Sequence, residues 1–104
     1  MTEFAVMVER HLRLREIDGQ TDVIVRIAAP VLDGNAYDCK YVIKGIGSAI
    51  PKSAFGIDGV QALQLALVHI GSELQAYEGE WEWCGNPFTG FPASVEDSID
   101  GTRS

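Results

Sequence analysis

Four side chains in this 104-residue sequence are of the types that most often hold metal ions or act as nucleophiles: His11, Cys39, His69 and Cys84. Metal sites in small domains usually present cysteine and histidine ligands in pairs a few residues apart, because neighbouring ligands must converge on one ion. These four residues show no such pairing and lie far apart along the chain. We therefore expect no metal ion and no cofactor.

The two cysteines are expected to differ in their surroundings. Cys39 alternates with Tyr37 and Tyr41 on one face of a predicted strand, where a thiol behaves as a small apolar side chain. Cys84 opens an irregular segment and is the thiol to examine if an activity is found. The N-terminus has no basic and apolar signal segment, and no uncharged stretch reaches the roughly 20 residues of a membrane span. The sequence thus predicts a cytoplasmic protein without membrane contact, in which both thiols stay reduced.

Two further patterns resemble parts of catalytic motifs but have simpler structural explanations. Gly45 and Gly47 follow a strand, as the first glycines of phosphate-binding loops do, yet the third glycine and the following helix are missing. A turn is therefore predicted there. The four glutamates between Glu73 and Glu82 are candidates for acid–base work, although such a group usually forms a solvated acidic face. The sequence favours a protein without catalytic activity.

Acidic and aromatic side chains are concentrated in the second half of the chain. The formal net charge of −7 disfavours nucleic-acid binding, and residues 57–104 contain eight acidic side chains and one basic one. Tryptophan is enriched at the energetic centres of interfaces, but it is also common in the cores of small domains. The candidate partner-binding residues are Trp81, Trp83, Glu78, Glu80, Glu82, Phe88 and Phe91. The sequence leaves open whether this segment belongs to an interface or to the core.

The elements that must position these residues begin with strands, since apolar and polar residues alternate along the first half of the chain. The alternation covers Phe4 to Leu14, Asp22 to Ala28 after the turn dipeptide Asp18-Gly19, and Tyr37 to Lys44. A short fourth strand within residues 49–55 is expected at an edge, because Pro51 lacks an N–H. No helix separates these segments, so the sheet is predicted to be antiparallel.

One helix follows the strands. Asp58 is placed to accept a hydrogen bond as N-cap, and Gln61 completes a capping box. A stripe at helical spacing, expected to cover the sheet, consists of Val60, Leu63, Leu67, Ile70, Leu74 and Tyr77. The predicted fold is α+β, an antiparallel β-meander of three to four strands with one long helix packed on one face. Residues 1–92 form the single domain, and residues 93–104 a flexible acidic tail.

The helix has more apolar surface than packing against the sheet alone would bury. Ala62, Leu65 and Val68, which we call the outer helix face, lie outside the predicted stripe and need a second cover. The C-terminal aromatic segment, a second copy of the chain or another partner would each provide it. Gly71 lowers helix stability by about 1 kcal/mol relative to alanine, which predicts a close backbone approach at this position.

The stretch Cys39-Lys40-Tyr41-Val42-Ile43-Lys44-Gly45 and, more specifically, the helix Gln61-Ala62-Leu63-Gln64-Leu65-Ala66-Leu67 are distinctive as sequences. Together they resemble a family of short bacterial proteins that carry a domain of unknown function. The resemblance implies a bacterial, cytoplasmic setting and brings no catalytic residue with it. Small acidic proteins of this build are also similar in outline to immunity proteins that neutralise toxins.

Three functions stand as hypotheses. In the leading one, a non-catalytic, immunity-like interaction module, acidic side chains steer a basic partner such as a toxin, and Trp81 and Trp83 anchor it. In the second, the protein is a homodimer that pairs through the outer helix face. The third is a small ligand-binding protein or enzyme with a pocket between sheet and helix, around Cys39, Tyr41 or His69.

Overall fold

A computed structural model describes residues 5–92 as an α+β fold, in which a curled antiparallel sheet carries one helix on one face. The strands are β1 (Val6–Glu16), β2 (Gly19–Ala28), β3 (Val31–Asp33), β4 (Ala36–Lys44), β5 (Lys52–Gly56) and β6 (Glu80–Glu82), and the helix is α1 (Gly59–Gln75). The predicted α+β class is confirmed, but the number of strands is larger than the predicted three to four. The predicted tail at residues 93–104 lies outside the described residues.

The sheet is organised around β4, which pairs along both of its edges. Tyr37 and Asp38 pair with both β3 and β5, while Tyr41 pairs with both β2 and β5. Therefore β5 occupies one edge of β4, and β2 and β3 share the other, on either side of Pro30. This proline interrupts the ladder because it has no N–H to donate.

β1 and β2 form a long hairpin whose register runs from the pair Glu16 and Gly19 to the pair Val6 and Ala28. Ile17 and Asp18 make the two-residue turn, and Gly19 follows with a φ of 146° that other residues rarely adopt. The predicted hairpin is thus confirmed, with its turn one residue earlier than the predicted Asp18-Gly19. Along β1, Leu12 and Leu14 point into the core, and the next inward position towards the N-terminus is Arg10.

Two strands are missing from the sequence prediction: β3, and β6, which pairs with the free edge of β1 through Leu14 and Trp81. Glu80, Trp81 and Glu82 do alternate in polarity, but three residues give too short a pattern to distinguish a strand from an irregular segment. The partner strand, rather than local propensity, defines β6. This brings the acidic and aromatic segment against the hairpin.

The helix packs on the sheet through a narrower stripe than predicted, one that consists of Ala62, Ala66, Ile70 and Leu74. Val60, predicted to face the sheet, is 67% exposed, and Ala62, predicted to face outward, is fully buried. The cause is a close approach of α1 to β5: a Cβ on Gly56 would lie 2.4 Å from the backbone nitrogen of Ala62. Alanines allow this contact, whereas larger side chains would hold the helix away.

The helix begins where the sequence predicts. Oδ1 of Asp58 accepts a hydrogen bond from the N–H of Gln61 at 2.8 Å, and Oε1 of Gln61 accepts one from the N–H of Ile57 at 2.7 Å. The capping box therefore reaches one residue further back than the usual pattern. Within residues 5–92, α1 is the only helix, and it is too short and too polar to span a membrane.

Candidate interaction site

An open groove of about 510 Å³ lies between β6 and the turn that follows it. Its lining includes Arg15, Glu80, Trp81, Glu82, Asn86 and Phe88, and we call it the acidic groove. Four of the seven candidate partner-binding residues therefore line one groove. The individual side chains, however, have different roles there.

Trp81 belongs to the core. Its side chain is 8% exposed and packs between β1 and the end of α1. The indole Nε1 donates to the carbonyl oxygen of Leu74 at 3.0 Å, which satisfies one of the last carbonyls of the helix. Trp81 fastens the helix end to the sheet and forms the floor of the acidic groove, leaving little of its surface for a partner.

Trp83 and Phe91 hold an arginine. The guanidinium carbon of Arg10 lies 3.9 Å from the ring centroid of Trp83 and 4.8 Å from that of Phe91, both within cation–π range. Its Nη1 donates to the carbonyl oxygen of Thr89 at 3.1 Å. Burial between the rings lowers the pKa of the Arg10 guanidinium from its usual value. We call this arrangement the Arg10 clamp, and it explains why a charged residue occupies an inward position of β1.

Gly90 and Gly71 make the clamp sterically feasible. A Cβ on Gly90 would lie 2.7 Å from the indole ring of Trp83, and one on Gly71 would lie 2.4 Å from the carbonyl oxygen of Pro92. The close backbone approach predicted at Gly71 is therefore confirmed, and the approaching chain is the C-terminal aromatic segment. This segment covers α1 at Gly71.

A tight turn connects Trp83 with Asn86, whose backbones exchange two hydrogen bonds of 2.9 and 2.8 Å. Its central residues, Cys84 and Gly85, both have positive φ values, 51° and 83°. Such turns favour asparagine or glycine at the first central position, so Cys84 is under mild backbone strain. Cys84 is exposed, as expected for the thiol to examine.

Phe88 is the aromatic residue of the candidate site that the fold leaves exposed. It is 51% exposed, and its ring centroid lies 6.0 Å from that of Trp83 at an angle of 58°. The tilted contact supports one edge of the ring while the rest faces solvent. Phe88 thus stands at the rim of the acidic groove on a base made rigid by the Arg10 clamp.

The three glutamates of the candidate site also separate into two groups. Glu82 lies 2.9 Å from the guanidinium of Arg15 and is partly buried. Glu78 and Glu80 are exposed, and neither forms an ion pair with another residue in the range 5–92. The groove therefore presents one uncompensated carboxylate, Glu80, beside one exposed aromatic ring, while Glu78 lines the neighbouring concave surface at the β1–β2 turn.

The outer helix face is smaller than predicted. Ala62 is fully buried against the sheet, while Leu65 and Val68 are half-buried. The pairing of two copies through this face stays a prediction, now with two of its three residues available.

Of the residues that sequence reasoning considered for catalysis, His11 and Cys84 line one open surface groove between β1 and the turn after β6, whereas Cys39 and His69 do not line it. Cys39 is fully buried, its Sγ lies 3.4 Å from the carbonyl oxygen of Ala28, and burial raises the pKa of its thiol. His11 is exposed on the outer sheet face, where its hydrogen bond lowers the pKa of Glu9. His69 is exposed on the helix. Among residues 5–92, no cluster of three metal-ligating side chains is present.

Sequence reasoning missed a polar cluster between β4, β5 and α1. Oε2 of Glu73 accepts a hydrogen bond from the hydroxyl of Tyr41 at 2.7 Å, and Oε1 lies 2.7 Å from Nζ of Lys52. Burial, together with the hydrogen bond to Glu73, raises the pKa of the Tyr41 phenol well above its ordinary value. The only sequence signal was the polarity of Glu73 within an otherwise apolar helix body.

Comparison with known proteins places the chain in a family without assigning it an activity. No curated protein sequence and no solved structure matches the chain. Residues 8–93 match a domain of unknown function, DUF6968, and this match covers both the hairpin and the acidic groove. The bacterial setting implied by the resemblance stays a prediction. Since the match spans most of its length, the chain belongs to the DUF6968 family.

Proposed function

We propose that this protein is a non-catalytic, cytoplasmic interaction module of the immunity type, which binds a basic protein partner through the acidic groove. The observation that carries the proposal is the position of Phe88, half exposed at the rim of an open groove that Glu80 also lines, with Glu78 on the adjoining surface. Exposed aromatic rings on rigid supports are the usual energetic centres of protein interfaces.

The charge distribution supports a basic partner. Residues 57–104 carry eight of the fifteen acidic side chains of the sequence and one of its eight basic ones. Such an asymmetry accelerates encounter with a positively charged surface and makes the association rate depend on salt. Glu78 and Glu80, free of ion pairs within the described chain, are the residues through which this attraction acts.

The roles of the aromatic residues differ from the sequence hypothesis. Trp81 and Trp83, expected there to anchor the partner, hold the helix end and Arg10 instead. In the present proposal Phe88 is the anchor, and the two tryptophans keep its support in place. Replacing both tryptophans by alanine would therefore disturb the fold and is unsuitable as a test of binding.

The proposal is tested by capture from a lysate of the source organism with tagged protein, followed by identification of the bound protein. The variants are Phe88→Ala and the pair Glu78→Gln and Glu80→Gln. The matched control for the ring is Phe55→Ala, because Phe55 is 53% exposed on a different strand. The control for charge is the pair Asp18→Asn and Asp33→Asn, two exposed acids at turns.

The proposal requires one basic protein that is captured by the wild type and by both controls, and that is lost with Phe88→Ala. Its capture by the glutamate variant should weaken and should lose salt dependence. A gene for a toxic basic protein beside this one would identify the partner class. Capture that is indifferent to Phe88 and to both glutamates would refute the proposal.

A further inference from the structure

A second concave site lies on the opposite side of the helix from the acidic groove. It is a crevice of about 120 Å³, narrower and more enclosed than the acidic groove, beneath the loop that joins β4 to β5. Its polar lining comes from Tyr41, Lys52, Glu73 and Tyr77, and the loop residues Gly47 and Ser48 close it. We call it the loop cavity.

The backbone of this loop alternates in the sign of φ. Gly45, Gly47 and Ala49 have φ values of 108°, 62° and 55°, whereas Ile46 and Ser48 between them have negative φ. Alternation of right-handed and left-handed residues turns successive N–H groups toward one side and creates a concave site for anions. Ala49 is strained in this conformation, and such strain is typical of ligand sites.

The side chains around the loop cavity offer hydrogen-bond donors to an anion, although Lys52 is ion-paired with Glu73. Both carboxylate oxygens of Glu73 are already occupied, one by Tyr41 and the other by Lys52. Lys52 is half exposed and has two further N–H groups to donate. Between Cys39 and Ile57 the sequence has three lysines and no acidic residue, so this part of a strongly acidic protein is locally basic.

The size of the loop cavity limits the ligand. A cavity of about 150 Å³ holds one benzene molecule, so 120 Å³ accommodates about five non-hydrogen atoms. A phosphate ion or a small carboxylate has this size. Tyr77 is positioned to contribute its hydroxyl, because a Cβ on Gly47 would lie 2.6 Å from that oxygen.

We propose that the loop cavity binds a small oxyanion, a phosphate or carboxylate group, through the N–H groups of residues 46–49, the ammonium of Lys52 and the hydroxyl of Tyr77. This site goes beyond the proposed interaction function and does not depend on it. No part of the acidic groove contributes to it, and the two sites favour ligands of opposite charge.

The test is an NMR titration of the whole protein with sodium phosphate and, separately, sodium acetate, at constant ionic strength maintained with chloride. We expect saturable shifts of the amide resonances of residues 46–49 with one of the two anions, which identifies the preferred group. Lys52→Gln should weaken binding at least tenfold. Lys44→Gln, a lysine at the end of β4 that does not line the cavity, should leave affinity within twofold.

Gly47→Ala provides a variant that changes no charge. Its Cβ would disturb both the φ alternation and the hydroxyl of Tyr77, so it should also weaken binding at least tenfold in a protein that remains folded. Shifts that never saturate with either anion, or equal loss of affinity in Lys52→Gln and Lys44→Gln, would overturn the proposal. So would unchanged affinity in Gly47→Ala.

Discussion

The Arg10 clamp gives the most quantitative prediction, because it joins β1, the turn after β6 and the C-terminal aromatic segment through one side chain. Replacing Arg10 by alanine removes stacking on Trp83 at 3.9 Å and on Phe91 at 4.8 Å. Partly desolvated cation–π contacts contribute about 1–2 kcal/mol. The variant also loses the hydrogen bond to the carbonyl of Thr89, and a charged donor contributes about 1.5 kcal/mol or more.

These contributions share one side chain and do not add fully, so we expect Arg10→Ala to lower the free energy of unfolding by about 2–4 kcal/mol. For a domain of this size the melting temperature should fall by roughly 10 °C or more. Arg10→Lys keeps the charge but not the planar guanidinium, and it should lower the free energy of unfolding by about half as much as Arg10→Ala does. The assay is urea unfolding followed by tryptophan fluorescence, with the midpoint and slope fitted separately.

Arg13 supplies the control. It is the next outward arginine on β1, half exposed, with its Nε 3.6 Å from the carboxylate of Asp22. Exposed pairs of this kind contribute at most about 1 kcal/mol, so Arg13→Ala should change stability little. Equal destabilisation by Arg10→Ala and Arg13→Ala would refute the argument, as would full retention of stability in Arg10→Lys.

Three further predictions concern stability and ionisation. Asp58→Ala removes the N-cap hydrogen bond from the N–H of Gln61 and should destabilise the fold by about 1 kcal/mol. The measurement is thermal unfolding followed by circular dichroism, and an unchanged midpoint would contradict the capping role of Asp58. Gly71→Ala should destabilise the protein despite the better helix propensity of alanine, because the new Cβ would clash with the carbonyl of Pro92. A stabilised variant would show that the C-terminal aromatic segment does not pack against Gly71. Because burial and Glu73 raise the pKa of Tyr41, its neutral phenol stabilises the fold below the ordinary tyrosine pKa of about 10, and this contribution is lost as the pH rises further. Absorbance at 295 nm should show a late ionisation step that Tyr41→Phe removes, and its persistence in that variant would contradict the assignment.

Much of the fold follows from local signals in the sequence. Alternation of polarity identifies β1, β2 and β4, and the Asp58 and Gln61 pair marks the start of α1. These features depend on residues close together in sequence and on the burial of one face of the element. A strand then shows apolar residues at every second position, and a helix shows them three and four positions apart. The prediction is wrong where the contact is distant, as at β6, which pairs with a strand some 65 residues earlier in the chain.

The orientation of α1 and the roles of the aromatic residues were not predictable for the same reason. Large apolar residues such as Val60 suggested the buried stripe, but the close approach at Gly56 selects the alanines instead. The position of Arg10 on an apolar strand face was visible in the sequence, although its aromatic partners lie more than 70 residues away. A charged residue on such a face is a signal that a partner for it must be sought elsewhere in the chain.

The central claim is that the rim of the acidic groove binds a basic protein through Phe88. Its most direct test is calorimetric titration of the captured partner with the wild type, Phe88→Ala and Phe55→Ala. We predict that Phe88→Ala weakens the affinity by at least thirtyfold, which corresponds to about 2 kcal/mol for an interface anchor, while Phe55→Ala stays within threefold of the wild type. Equal affinities for the three proteins would contradict the account.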